Sequence, residues 1–119
     1  MNKPISPLLH GVLDYATVLA TAALPAALRF SPRAAALSRG LSAGYLALSS
    51  VTDYPLSLTR RVPFPTHGRL ERLSGFALPL LPLLAGFAQH RAARNFFLAL
   101  AGVTFVVYAL TDWESANPC

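Results

Sequence analysis

Four apolar stretches, with charged residues falling between them, restrict the fold of this chain more than any other feature. They run from about residue 8 to 28, 34 to 52, 70 to 88 and 96 to 111. A helix needs roughly 20 residues to cross the hydrocarbon core of a bilayer. Each stretch reaches that length when its flanking polar residues lie at the interface. The pattern predicts an all-α protein, a four-helix transmembrane bundle.

The composition favours contact with lipid. Apolar residues make up 54% of the 119 residues and charged residues 13%, against about 25% charged residues in ordinary soluble domains. The net charge of +5 comes from basic residues in ones and twos, which is typical of arginines that flank membrane helices and not of a nucleic-acid-binding surface. We therefore expect a multi-pass protein of a bacterial inner membrane, with the lipid bilayer as partner and no nucleic acid. Assembly as a homo-oligomer or within a larger membrane complex stays open.

The chain contains two versions of one pattern within a single membrane domain, residues 1–119. The units are residues 7–54 and 64–113, with a linker at 55–63 and a tail at 114–119. The segment HGVLD at 10–14 corresponds to HGRLE at 67–71, and TDY at 52–54 corresponds to TDW at 111–113 after a two-residue shift. Because each unit holds two spans, both units begin and end on the same side of the membrane. We predict two tandem, parallel helix hairpins, with both termini periplasmic.

Three shorter features also bear on the fold. The first 28 residues look like a signal peptide, but their pattern recurs from residue 64, so we interpret them as part of the fold. Gly40 and Gly44 form a G-x-x-x-G pair, which predicts close helix packing within the monomer, with a dimer interface as the alternative. Cys119 stands alone and can form no internal disulfide.

The middle of each unit resembles a known family. The segments LPAALRF at 24–30 and LPLLAGF at 81–87 each precede an Ala-Ala pair and an apolar helix that contains glycine. In this they resemble the small bacterial membrane proteins of the SPW-repeat type, although the Ser-Pro-Trp triplet itself is absent. The resemblance implies a duplicated helix hairpin, and it carries over no function and no catalytic residues.

The acidic residues are all expected near one membrane surface. His and an acid lie one helical turn apart in each unit, and a further aspartate ends the second and fourth helices. Two histidines and four carboxylates on four helices match the ligands of a di-iron or di-manganese carboxylate bundle, although those sites use the order Glu-x-x-His. This pattern predicts a divalent metal site formed by His10, Asp14, Asp53, His67, Glu71 and Asp112.

Other interpretations of this cluster stay open. It is a structural clamp if each histidine pairs with its neighbouring acid or with the Thr-Asp at the end of its partner helix. It is a haem site if His10 and His67 are axial ligands, with Tyr15, Phe64 and Trp113 in the walls. A proton or ion pathway is a further alternative. Arg69 and Arg72 are expected to neutralise surplus carboxylates.

The sequence contains no motif that identifies a particular reaction. It has no nucleophile–base pair, cysteine pair, phosphate-binding loop or dinucleotide fingerprint. We therefore expect a non-enzymatic or accessory membrane protein whose working face is the cluster of histidines and carboxylates.

Overall fold

The computed structural model describes residues 3–114, and within this range the protein is helical without a strand. The third helix is broken by a 3-10 turn, so the chain forms four helical segments, as the sequence predicts. The elements are α1 (Pro7–Ala27), α2 (Pro32–Val51), α3 (Phe64–Ala77), a 3-10 turn (Leu78–Leu80), the short α4 (Leu81–Leu84) and α5 (Arg91–Leu110). The tail with Cys119 lies outside the described residues.

Serine-proline pairs start the first two helices. The Ser6 hydroxyl accepts a hydrogen bond from the Leu9 amide at 3.2 Å, and the Ser31 hydroxyl accepts one from the Ala34 amide at 3.4 Å. A proline follows each serine in the first helical turn, where its fixed φ suits the helix and its missing N–H is not needed.

Both hairpins turn by the same backbone motif. Arg29 has a φ of +55° and Gly86 a φ of +80°. The chain therefore enters the left-handed region one residue after the C-cap residue of α1 and of α4. The next amide then reaches back over the turn: Phe30 donates to the Pro25 carbonyl at 2.9 Å, and Phe87 donates to the Pro82 carbonyl at 2.8 Å. This capping arrangement satisfies carbonyls that the helix end would leave unpaired.

Backbone bridges connect the two hairpins at the end opposite these turns. Helix α1 packs along α2, and α3 packs along α5. The residue that precedes one hairpin pairs with the residue that ends the other, in isolated bridges between Ile5 and Thr111 and between Thr52 and Val62. All four helices therefore bring this end, and the groups near it, to one side of the molecule.

A hydrophobic core lies towards the other end, where α2, the 3-10 turn and α5 meet around Phe87, Phe97 and Leu78. Within residues 3–114, the G-x-x-x-G pair takes no part in helix packing. A Cβ atom added at Gly40 or Gly44 would meet nothing within 4 Å, so the prediction of close packing there within the monomer is wrong. The reason is that none of the helices the structure describes approaches α2 at these two glycines.

Among the described residues, two helices are long and apolar enough to cross a membrane. They are Pro7–Ala27 and Arg91–Leu110. Helix α2 carries Arg33 and Arg39 among many small residues, and α3 is a shorter helix with several charged residues. By length and composition, the structure thus supports two of the four predicted spans.

Candidate metal centre

Two histidines from different helices lie close together at the end of the molecule opposite the hairpin turns. His10 lies in the first turn of α1 and His67 in the first turn of α3. Both are buried, with 0% and 3% of the residue exposed. Their ring centroids lie 5.2 Å apart. Ligand atoms of His10, His67 and Asp14 all lie within 4.8 Å of one another, so the structure brings together three of the six residues predicted as metal ligands.

A threonine hydroxyl orients each imidazole. His10 Nδ1 lies 2.8 Å from Thr111 Oγ1, and His67 Nδ1 lies 2.8 Å from Thr52 Oγ1. Each hydroxyl donates its own proton to a carbonyl one turn back, at 2.6 Å. The hydroxyl oxygen is then free to accept, so Nδ1 of each imidazole is the donor. In a neutral imidazole this leaves the lone pair on Nε2.

The Nε2 atoms face carboxylates. His10 Nε2 lies 3.3 Å from Asp14 Oδ1 and 3.3 Å from Glu71 Oε2, while His67 Nε2 lies 3.2 Å from Asp14 Oδ2. Asp14 thus bridges the two imidazoles, and Glu71 approaches only His10. These separations exceed the 2.7–2.9 Å or so of a charge-assisted hydrogen bond. His10 Nε2 and Glu71 Oε2 are both buried without a hydrogen-bond partner.

Tyr54 supports the bridging carboxylate. Its hydroxyl donates to Asp14 Oδ2 at 3.0 Å, and its side chain is fully buried. Burial, together with the negative charge of Asp14, raises the pKa of Tyr54, so the phenol remains protonated and keeps donating. In the sequence pattern Trp113 takes the place of Tyr54, but its Nε1 donates to the Tyr108 carbonyl at 2.9 Å. The second unit therefore lacks the donor that would serve Glu71.

Aromatic rings surround His10. The Trp113 ring lies 4.8 Å from it and the Phe64 ring 5.5 Å, both measured between centroids. The chain permits this approach through Gly68, where an added Cβ would lie 2.9 Å from Trp113 Cε3. These rings keep water from the imidazole and lower the local dielectric, which strengthens the electrostatic interactions within the cluster.

Asp53 and Asp112 do not join the cluster, which corrects their prediction as ligands. Asp53 is 44% exposed in its side chain and pairs with Arg60 at 3.8 Å, and an Asp112 carboxylate oxygen accepts from the Glu114 amide. The reason is the extended backbone of the preceding threonines. In extended chain, consecutive side chains point to opposite sides, so the threonine faces the histidine and the aspartate faces away.

The arginines near the cluster do not neutralise it. Arg69 and Arg72 are exposed, and in the described part of the chain neither forms an ion pair with Asp14 or Glu71. The expectation that they balance surplus carboxylates is therefore not met, and the charge of the two acids is left to the imidazoles or to a bound cation.

The predicted haem arrangement does not fit this geometry. Haem needs a flat apolar slot between its two axial ligands. Here a carboxylate oxygen of Asp14 lies within 3.3 Å of each Nε2, so the space between His10 and His67 is already filled. Tyr15, expected as a wall residue, instead donates its hydroxyl to the Leu56 carbonyl at 2.9 Å.

The tie between helices also differs from the predicted clamp. The clamp placed each histidine on a group of its own unit. His10 does lie 3.3 Å from Asp14, the acid one turn on. However, His10 also bonds to Thr111 and His67 bonds to Thr52, each in the other unit. The sequence carried a signal for these threonines, because both units end in Thr-Asp. The prediction placed the aspartate of each pair at the histidine, whereas in the structure the threonine hydroxyl makes that contact.

No protein-family model, curated protein or solved structure matches the chain. The resemblance to the SPW-repeat type accordingly stays a prediction.

Proposed function

We propose that this chain is a small multi-pass membrane protein that binds one divalent transition metal ion through His10, His67 and Asp14. The observation that carries the proposal is the orientation of the two imidazoles. Each holds its Nδ1 against a threonine hydroxyl, and each directs its Nε2 at the same carboxylate. A metal-binding histidine almost always donates its other ring N–H in this way.

The charge of the cluster also favours a cation. Asp14 and Glu71 are mostly buried in their side chains, at 15% and 13% exposure, and both approach the same nitrogen of His10. Two buried carboxylates this close need positive charge between them. A divalent ion supplies it while both imidazoles stay neutral.

Two imidazoles and one carboxylate are a ligand set that suits zinc, iron or manganese. Three protein ligands leave at least one coordination position open, as in catalytic rather than structural zinc sites. Glu71 Oε2 lies 3.3 Å from His10 Nε2, and Glu71 is not within the group of three. The arrangement supports binding of a metal with an accessible face; it does not by itself indicate a reaction, and we retain a non-enzymatic or accessory role.

The exposed apolar surface supports the membrane part of the proposal. Only 22% of the apolar window in α1 is buried within the molecule, and the same holds for α5, whereas the core helix of a soluble protein would be mostly buried. Large apolar side chains such as Leu19, Leu83 and Leu84 are at least 70% exposed. Surface of this kind needs a cover of lipid or protein, and four spans in two parallel hairpins would place it in the bilayer.

Metal content tests the proposal directly. The protein is purified in detergent after growth with zinc, manganese and iron, and its metal is measured by elemental analysis. We expect stoichiometric metal in the wild type and its loss in His67→Ala. His90→Ala is the matched control, because His90 lies at the start of α5 against Phe30, away from the cluster. A wild-type protein that stays metal-free after reconstitution would show that protons alone balance the carboxylates.

Membrane location has its own test. Cell membranes are washed with high salt and with alkaline carbonate, and the protein is followed by immunoblot. We expect it to remain in the pellet and to need detergent for release. Recovery of a monodisperse protein from the soluble fraction would contradict the four-span proposal.

A further inference from the structure

A cavity lies between the two hairpins, directly beside the cluster of histidines and carboxylates. It has a volume of about 550 Å³, and all four long helices contribute to its wall. The cluster residues Asp14, His67 and Glu71 form its polar end, and side chains such as Leu100 and Val107 form apolar walls. A volume of roughly 300–1,000 Å³ with apolar walls and a few polar groups is typical of a site for a small organic ligand.

The cavity reaches the surface at the side of the helices. Two of its lining residues, Leu70 on α3 and Val103 near the middle of α5, are 46% and 55% exposed. In a membrane-embedded protein, an opening at this height meets the acyl chains and not water. The inference below rests on the proposed membrane location in this respect, since a lipophilic molecule would enter from the bilayer.

Most of the polar groups that line the cavity are acceptors, and the hydroxyls of Tyr45 and Ser49 also line it. The hydroxyls of Thr17, Ser74 and Thr104 donate their protons to carbonyls of their own helices, which leaves their oxygen lone pairs for an occupant. Glu71 Oε2 is a buried acceptor without a partner. A molecule in the cavity therefore completes the hydrogen bonding if its head group donates a proton.

The charge at the polar end of the cavity determines which kind of donor head group fits there. A divalent ion held by His10, His67 and Asp14 balances the two carboxylates, so the polar end of the cavity has no net charge that would attract a cation. A carboxylate or phosphate head group has no proton for Glu71 and would place like charge against it. An uncharged hydroxyl meets both conditions, because it donates to Glu71 and adds no charge.

We propose that this cavity binds an uncharged lipophilic molecule with a hydroxyl head group, which donates a hydrogen bond to Glu71 beside the metal while its apolar part lies between the hairpins. The unpartnered Glu71 oxygen, the apolar walls and the opening at mid-helix together carry this assignment.

The test compares two probes that share one alkyl chain. 1-Dodecanol and dodecanoate are titrated separately onto the zinc-loaded protein in detergent, and bound molecules are counted by native mass spectrometry. We expect 1-dodecanol to saturate at one molecule per chain and dodecanoate to bind at least about tenfold more weakly, which corresponds to about 1.4 kcal/mol. Equal binding of both probes, or dodecanol binding that does not saturate, would overturn the proposal.

A pair of variants on α1 locates the bound probe. Ala20 lines the cavity, whereas Ala23 on the same helix is exposed and lies outside it. Ala20→Phe fills the space and should abolish dodecanol binding, and Ala23→Phe should bind as the wild type does. Equal binding in both variants places the dodecanol elsewhere and refutes the site.

Metal content is measured in the same samples and separates the two proposals. If the wild-type protein holds no stoichiometric metal but still binds 1-dodecanol in preference to dodecanoate, only the metal proposal is contradicted. The reason is that the Glu71 acceptor is present without an ion. Stoichiometric metal without selective dodecanol binding contradicts the ligand site alone.

Discussion

Replacing Thr111 by valine tests whether the threonines orient the imidazoles of the proposed metal site. Valine keeps the shape of the side chain and removes the hydroxyl that accepts from His10 Nδ1 at 2.8 Å. The Nδ1–H would then be a buried donor without a partner, which costs about 1–3 kcal/mol. The imidazole escapes this cost by moving its proton to Nε2, and in that tautomer it cannot bind a metal through Nε2.

The expected effect on metal binding follows from this energy. Loss of a hydrogen bond behind a metal ligand typically lowers affinity by about 10–100-fold, and tenfold corresponds to about 1.4 kcal/mol. The zinc Kd of Thr111→Val should rise within that range. The assay is a competition with a chromophoric chelator in detergent, with the unfolding temperature measured on the same preparation.

Thr104→Val is the matched control. Thr104 lies on α5, the helix that Thr111 caps, and it also donates to the carbonyl four residues back, at 2.8 Å. It has no histidine partner among the described residues. Both variants lose one hydroxyl bond within α5, so both should lose a similar amount of stability from that bond. If Thr111→Val lowers the unfolding temperature and keeps the zinc Kd of the control, the threonine is a structural tie and does not act on the metal.

Three further outcomes follow from the same geometry. Tyr54→Phe removes the hydrogen bond to Asp14 and should weaken zinc binding by about 1 kcal/mol; because the raised pKa of Tyr54 keeps it protonated, the effect should not change with pH. Gly68→Ala places a Cβ against Trp113, so it should destabilise the fold by about 1–3 kcal/mol and shift the tryptophan fluorescence, whereas Gly102→Ala, which meets nothing, should do neither. The zinc Kd should rise as the pH is lowered, because protons compete with the metal for the imidazole nitrogens; a zinc Kd that is independent of pH would contradict histidine ligands.

The two units differ at the point where the chemistry lies. Asp14 contacts both imidazoles and has the Tyr54 hydroxyl, while Glu71 contacts one imidazole and has no donor. A duplication alone would make the two acids equivalent. Trp113 stands at the end of the second unit where Tyr54 ends the first, and it donates to the Tyr108 carbonyl and not to an acid.

Much of the architecture is readable from the sequence because it depends on local pattern. Apolar stretches bounded by charge predict the helices, and Ser-Pro pairs such as Ser6-Pro7 predict where helices begin, since both effects act within a few residues. The spacing of His10 and Asp14 places them on one face of α1 whatever the helix packs against. The sequence therefore predicted four helices and identified His10, Asp14 and His67, which the structure brings together.

The partners of these residues were decided by tertiary packing. That His10 meets Thr111 of the other hairpin depends on how the hairpin ends pair, which no local pattern encodes. That Asp53 points outward while Thr52 points inward depends on where α2 gives way to extended chain, because one residue of difference exchanges the two sides. Sequence pattern determines which groups lie on a helix face; only the contact between hairpins determines which of them share a site.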